Sequence, residues 1–238
     1  MSDDGRLSVL QHLEELRKRI VVAGVAVLAG SAVAFTFRDS TLAFLEEPYR
    51  QVVGNADQLA VFKVTEPFSV SMRLALFGGF LLASPLVLYQ AWAFIHPALT
   101  TRERRWAIPV VAIMTVLFVG GVAFGYWTLP RGLEFLLGIQ PGLDTVIGVS
   151  NYISFTLRFL LVFGVAFLFP VFVFAAAAAG LITSDQLRQW RRWAVLIIVV
   201  VGAVVTPSGD PLTLLALSAP LYLFYETTLW LVKLILRK

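Results

Sequence analysis

The string SVLQHLEELRKRI at 8–20 places Glu14 four residues before Lys18 and Glu15 four residues before Arg19. On a helix, residues four apart are neighbours, so these are spaced as surface ion pairs worth about 0.2–0.5 kcal/mol each. Glu103 begins the triplet ERR at 103–105, three residues after Thr100. That spacing matches a capping box, in which the acid serves a helix start. Both acids therefore have a plain structural reading, beside any work they do for a ligand.

Other chemistries find little support. The chain has no cysteine, so a thiolate nucleophile, a thiolate metal site and a disulfide framework are excluded. Its two histidines, His12 and His96, lie far apart in sequence, and no HExxH or GxSxG motif occurs. An intramembrane hydrolase needs a nucleophile with its base, or a metal pair, and the apolar segments supply neither. The reading is of a protein that is not an enzyme and needs no cofactor or metal.

The elements that must position these acids follow from hydropathy. Apolar residues make up 58% of the chain and charged residues 14%, against about 25% charged in soluble domains. About 20 apolar residues cross the hydrocarbon core as a helix. Spans are expected at 20–37, 68–95, 107–129, 151–180, 194–206 and 212–232, giving an all-α integral membrane protein with six transmembrane helices. The whole chain reads as a single membrane domain: a cytoplasmic amphipathic N-terminal helix over 1–19, the spans over 20–232, and a cytoplasmic tail over 233–238. The first apolar run is preceded by about twenty largely polar residues, unlike a cleavable signal peptide. Pro85 and Pro170 fall inside spans and should bend them. Spans five and six are short and joined by the turn TPSGDP at 206–211, so the lipid around them should thin.

Orientation follows from basic residues. Segments 1–19, 96–106, 181–193 and 233–238 hold 13 Lys and Arg, and the alternate segments hold 4. The rich set faces the cytoplasm, with both termini inside a multi-pass cell membrane protein. This bias accounts for the net charge of +4 without invoking nucleic acid. Leu7, Leu10, Leu13 and Leu16 recur every three residues on the N-terminal helix, and Ser8 with Gln11 fits a capping box at its start. Thr183 with Gln186 makes a third such match.

On that basic face the acids are Asp3, Asp4, Glu14, Glu15, Glu103 and Asp185. Glu15 and Glu103 are thus uncommon negative points near the lipid, to which a cationic ligand would be drawn. A guanidinium suits a carboxylate better than an ammonium does, because it bonds twice in a fixed plane. A small-solute or proton-coupled transporter is the other class open to such a chain. It would recruit Arg73, Gln90, Arg158 and Glu226, whose spacing defines no site.

Several stretches together resemble a known family. They are HLEELRKRI at 12–20, EPF at 66–68, SPLVLYQAWAFIHPAL at 84–99 and ERR at 103–105. GVAFGYW at 121–127, FGVAFLFP at 163–170, TPSGDP at 206–211 and PLYLFYE at 220–226 follow in order. The chain resembles TatC, the multispanning subunit of the twin-arginine protein translocase, over nearly its whole length. The resemblance implies six helices in a cupped bundle. It also implies recognition of the Arg-Arg signal peptides of folded cargo, recruitment of TatA/TatB-type single-span subunits, and transport driven by the protonmotive force. Self-association is compatible with it.

Residue by residue, the resemblance assigns Glu15 and Glu103 to the twin-arginine motif and Phe94 to the aromatic beside the same loop. Leu99, Arg17 and Arg105 lie in the matched motifs as shaping residues. Gln90 belongs to an implied intramembrane polar cluster. Thr206, Pro207, Asp210 and Glu226 are candidates for partner contact and intramembrane polarity. A glutamate that many members carry just before the span-four proline is replaced here by Leu168.

Overall fold

A computed structural model describes residues 4–54, 59–95, 107–139, 146–178, 180–205 and 210–236. Among them every regular element is helical, and one isolated parallel bridge joins Ala60 to Gly148. The helices are α1 (Asp4–Thr36), α2 (Arg38–Val53), α3 (Glu66–Ile95), α4 (Ala107–Gly138) and α5 (Val149–Ala166). There follow α6 (Phe169–Ala178), α7 (Ser184–Gln189), α8 (Arg191–Val205) and α9 (Pro211–Leu231), the last extended by a π-helical turn over Val232–Leu236. Among the described residues, five segments are long and apolar enough to cross a membrane: Gln11–Thr36, Glu66–Phe94, Ile108–Gly138, Val149–Ala178 and Pro211–Leu234.

Where the expected boundaries move, local chemistry explains it. The N-terminal helix is not a separate element. Backbone helix begins at Asp4 and runs without interruption into the first apolar run, so Ser8 lies inside a helix rather than capping one. No proline or internal cap interrupts 6–36, and helix is the only way for an isolated segment to satisfy its backbone in lipid. The third span continues to Gly138, past its expected end at 129 and through Pro130, with Leu129 and Leu133 buried. The fourth expected span is two helices. The chain turns at Phe167 and Leu168, where the Leu168 N–H bonds the Val165 carbonyl, and α6 restarts with Pro170 at its second residue. A proline fits a helix's first turn but not its interior. Leu168 is buried there, 5% exposed.

The 38–67 segment, expected as a polar connector, contains the helix α2, which buries Leu45, Pro48 and Tyr49. Pro48 has no N–H to give to the Phe44 carbonyl four residues back. The Tyr126 hydroxyl donates to that carbonyl at 2.8 Å, and the Tyr126 ring stacks on Phe44 at 4.3 Å. Tyr152 donates its hydroxyl to the next carbonyl, Leu45 O, at 2.6 Å. Pro85 receives the same treatment. The α3 helix runs unbroken through it, and the Ser84 hydroxyl donates to the Leu81 carbonyl at 2.7 Å, replacing the amide that Pro85 lacks. Ser84→Ala should leave that carbonyl orphaned and destabilise the protein by about 1–3 kcal/mol, read as a lower melting temperature in detergent.

Two compact units make up the chain: Met1–Thr41 with Ser71–Thr115, and Leu42–Val70 with Val116–Lys238. In the first, α1 and α3 pack through small residues. A Cβ on Gly30 would lie 2.7 Å from the Gly79 carbonyl oxygen, and one on Gly78 would lie 2.8 Å from the Ala34 Cβ. Small side chains let membrane helices gain van der Waals contact through close backbone approach. In the second unit an aromatic core forms around Phe124, Phe159, Phe163 and Phe167. The α8 helix packs on α9 there, with Gly202 against Leu214.

Candidate functional site

The first unit assembles three of the candidate residues. On α1, positions 12, 15 and 19 recur at helical spacing and share a face. On α3, Gln90 and Phe94 are four apart and do the same. The two faces meet. The His12 ring stacks on the Phe94 ring at 4.4 Å and 18°. The Arg19 guanidinium donates from Nε at 3.0 Å and Nη2 at 2.5 Å to Glu15 Oε1. Its Nη1 reaches across to Gln90 Oε1 at 3.3 Å. The expected Glu15–Arg19 pair is therefore present, as is Glu14–Lys18 at 3.3 Å. Gln90, expected within a membrane-buried polar cluster, here accepts from Arg19.

Glu15 is not spent by this pairing. Both Arg19 donors converge on Oε1. Among the described residues Oε2 has only His12 Nδ1 nearby, at 3.7 Å, too far for a hydrogen bond. The side chain of Glu15 is 35% exposed. It lies on a water-reachable surface beside a π-stacked pair, and its second oxygen faces only His12 among the described residues. Such a group can accept another planar donor. Arg17, on the same helix, is exposed and enters no ion pair among the described residues. Glu103, Leu99 and Arg105 lie outside the described residues, as does the Thr100 capping box.

The second unit holds the other candidates. Glu226 on α9 accepts from Arg191 Nη2 at 2.6 Å on one oxygen and from the Tyr222 hydroxyl at 3.1 Å on the other. It is tied to the basic segment that opens α8. Tyr225 donates to the Leu187 carbonyl, so α9 grips α7 as well. The Thr183–Gln186 capping box at the start of α7 is formed as its spacing predicts. Asp210 is the N-cap of α9: its Oδ1 accepts the Thr213 N–H at 2.7 Å, and Pro211 follows as the first helical residue. Thr206 and Pro207 lie outside the described residues.

Sequence reasoning did not find His12, Arg191 or Tyr222, nor the reach of Arg19 to the second helix. The 12, 15, 19 spacing was a signal for a shared face. It did not reveal which helix that face would meet.

A profile of the family described as Sec-independent protein translocase protein (TatC) matches residues 11–220. The chain is 37% identical over 236 residues to the Sec-independent protein translocase protein TatC of Aquifex aeolicus, covering 98% of this chain and 97% of that one. It is 36% identical over 239 residues to the protein of the same name from Frankia casuarinae, covering 95% of this chain and 66% of that protein. The chain thus spans just under two thirds of the Frankia relative. Among solved structures, a "Twin Arginine Translocase Receptor- TatC in DDM" superposes with a TM-score of 0.80 at 37% identity. That superposition covers 94% of this chain and 100% of the other. Sequence and fold agree over almost the entire length, and the chain belongs to the TatC family of Sec-independent protein translocase proteins.

Proposed function

We propose that this chain is the membrane receptor and core subunit of a twin-arginine translocase. It binds the Arg-Arg signal peptides of folded proteins and recruits TatA/TatB-type single-span partners for export driven by the protonmotive force. The observation that carries the reading is the Glu15 carboxylate. It already accepts two N–H groups of a guanidinium on one oxygen, has only the His12 ring at 3.7 Å from the other among the described residues, and lies near Phe94 on the neighbouring helix, whose ring stacks on His12. One signal arginine bonds Glu15 and the other Glu103, while the apolar part of the peptide packs against Phe94. The solved relative's description as a receptor supports the same role.

The topology proposed with it has six spans and both termini in the cytoplasm, an orientation that the 13-to-4 bias of basic residues supports. The α8 helix is the short span. Its 15 residues rise about 22 Å, and its exposed face over 195–204 is apolar throughout. With the Thr206–Pro207 turn and α9, it offers the membrane-embedded face for partner subunits. Glu226 is engaged by Arg191, and Arg158 is exposed on α5, so neither reads as a solute-binding group.

A photo-crosslinker in place of Phe94 tests the reading in intact membranes. It should capture a twin-arginine signal strongly and the lysine–lysine version weakly, since an ammonium cannot make the planar fork. Equal capture of the two peptides would remove the guanidinium-specific site from the proposal.

A further inference from the structure

We infer that Arg19 is a resident guanidinium. It occupies Glu15 in the unliganded receptor and transfers toward Gln90 when a signal arginine arrives. This rests on the reading of Glu15 as a signal-peptide ligand. The group that holds Glu15 is chemically the same as the group the site would receive. It approaches one oxygen only, so that Oε2, which faces His12 Nδ1 at 3.7 Å, is the entry point for a second guanidinium before Arg19 departs. The fallback is already in place, because Arg19 Nη1 touches the Gln90 amide oxygen on the facing helix at 3.3 Å. A neutral amide accepts less strongly than a carboxylate, so Arg19 rests on Glu15 and yields only to a comparable donor. Arg19 is 24% exposed and bridges α1 to α3. Its displacement therefore gives up the two Glu15 bonds and keeps the one to Gln90, and the charge released is not a fully buried one.

The consequence is a threshold. When only a fraction of the receptor has Glu15 vacant, apparent affinity falls by that fraction for every ligand using the site. Arginine and lysine signals are penalised by the same factor. Their ratio is set by the fork geometry, and the resident guanidinium sets how good a ligand must be to register at all.

The test uses the full chain in lipid nanodiscs, with fluorescent twin-arginine and twin-lysine signal peptides followed by anisotropy. Arg19→Gln should tighten both peptides by one common factor, about fivefold, with their ratio unchanged. Arg19→Lys, which keeps the charge and loses the fork, should show the same effect at smaller size and guards against misfolding of the glutamine variant. Gln90→Ala should weaken binding about twofold in the wild-type background and have no effect in Arg19→Gln, as a double-mutant cycle reports. Weaker or unchanged peptide binding in both Arg19 variants overturns the inference. Glu15→Gln separates the two ideas. If it leaves twin-arginine binding intact, the receptor reading itself fails. If it weakens binding while neither Arg19 variant tightens it, only the competitor role fails.

Discussion

The double replacement Glu15→Gln with Glu103→Gln is expected to reduce twin-arginine peptide binding at least about 100-fold while the protein still inserts and folds. Glutamine keeps the shape and one acceptor oxygen but removes the charge. A hydrogen bond to a charged group is worth about 1.5–3 kcal/mol, so each lost carboxylate costs about 10- to 150-fold in affinity. Neither acid belongs to the runs expected to carry insertion, 20–37 and 107–129. Peptide anisotropy on nanodisc-held receptor, with circular dichroism as the folding control, reads the outcome. Affinity within about threefold of wild type would mean that the signal's arginines are held elsewhere.

Gly79→Leu is expected to cost about 3 kcal/mol or more, because here the obstacle is backbone. A Cβ at Gly79 would stand 2.2 Å from Ser31 Oγ, 2.4 Å from Ser31 N and 2.6 Å from Ser31 Cα. A rotamer change could move the hydroxyl; only separation of α1 from α3 could move the other two. Overpacking usually costs about 1–3 kcal/mol when side chains can yield, and more when they cannot. Gly24→Leu is the matched control. A Cβ there meets nothing within 4 Å, and the change should lie within about 0.5 kcal/mol of wild type. Thermal melts of both variants followed by tryptophan fluorescence would show the contrast. A Gly79→Leu melt matching wild type would contradict the close helix approach. Because His12, Glu15 and Arg19 ride on α1 while Gln90 and Phe94 ride on α3, the same variant should also weaken signal binding.

Much of the membrane architecture was legible because burial in lipid writes itself as long apolar runs. The five long segments all fall on expected spans. The helix α2 was hidden for a physical reason. Its sequence holds Arg38, Asp39, Glu46, Glu47 and Arg50 around an internal proline, and only Leu45, Pro48 and Tyr49 are buried. What stabilises it arrives from elsewhere in the chain, through the hydroxyls of Tyr126 and Tyr152. In the site, the intrahelical pairs Glu14–Lys18 and Glu15–Arg19 followed from four-residue spacing. The stacking of His12 on Phe94 and the reach of Arg19 to Gln90 did not. Both depend on the register of α1 along α3, and that register is set by Gly30 and Gly79 half a membrane away.

The serine beside Pro85 bears on how α3 bends. In an ordinary helix, loosening one turn breaks a backbone amide bond and threatens the turns on either side. At Leu81 the donor belongs to the Ser84 side chain, which can release and recapture the carbonyl by rotating a single bond. At Pro85, then, α3 has a turn that can loosen without breaking a backbone amide bond. Loosening that turn costs one hydrogen bond of about 1 kcal/mol, less than twice thermal energy, while Gln90 and Phe94 stay held by Arg19 and His12 of α1. Bending at this turn is thus resisted mainly by what the end of α3 touches, and the fit of that end against α1 can adjust without rupture of the helix.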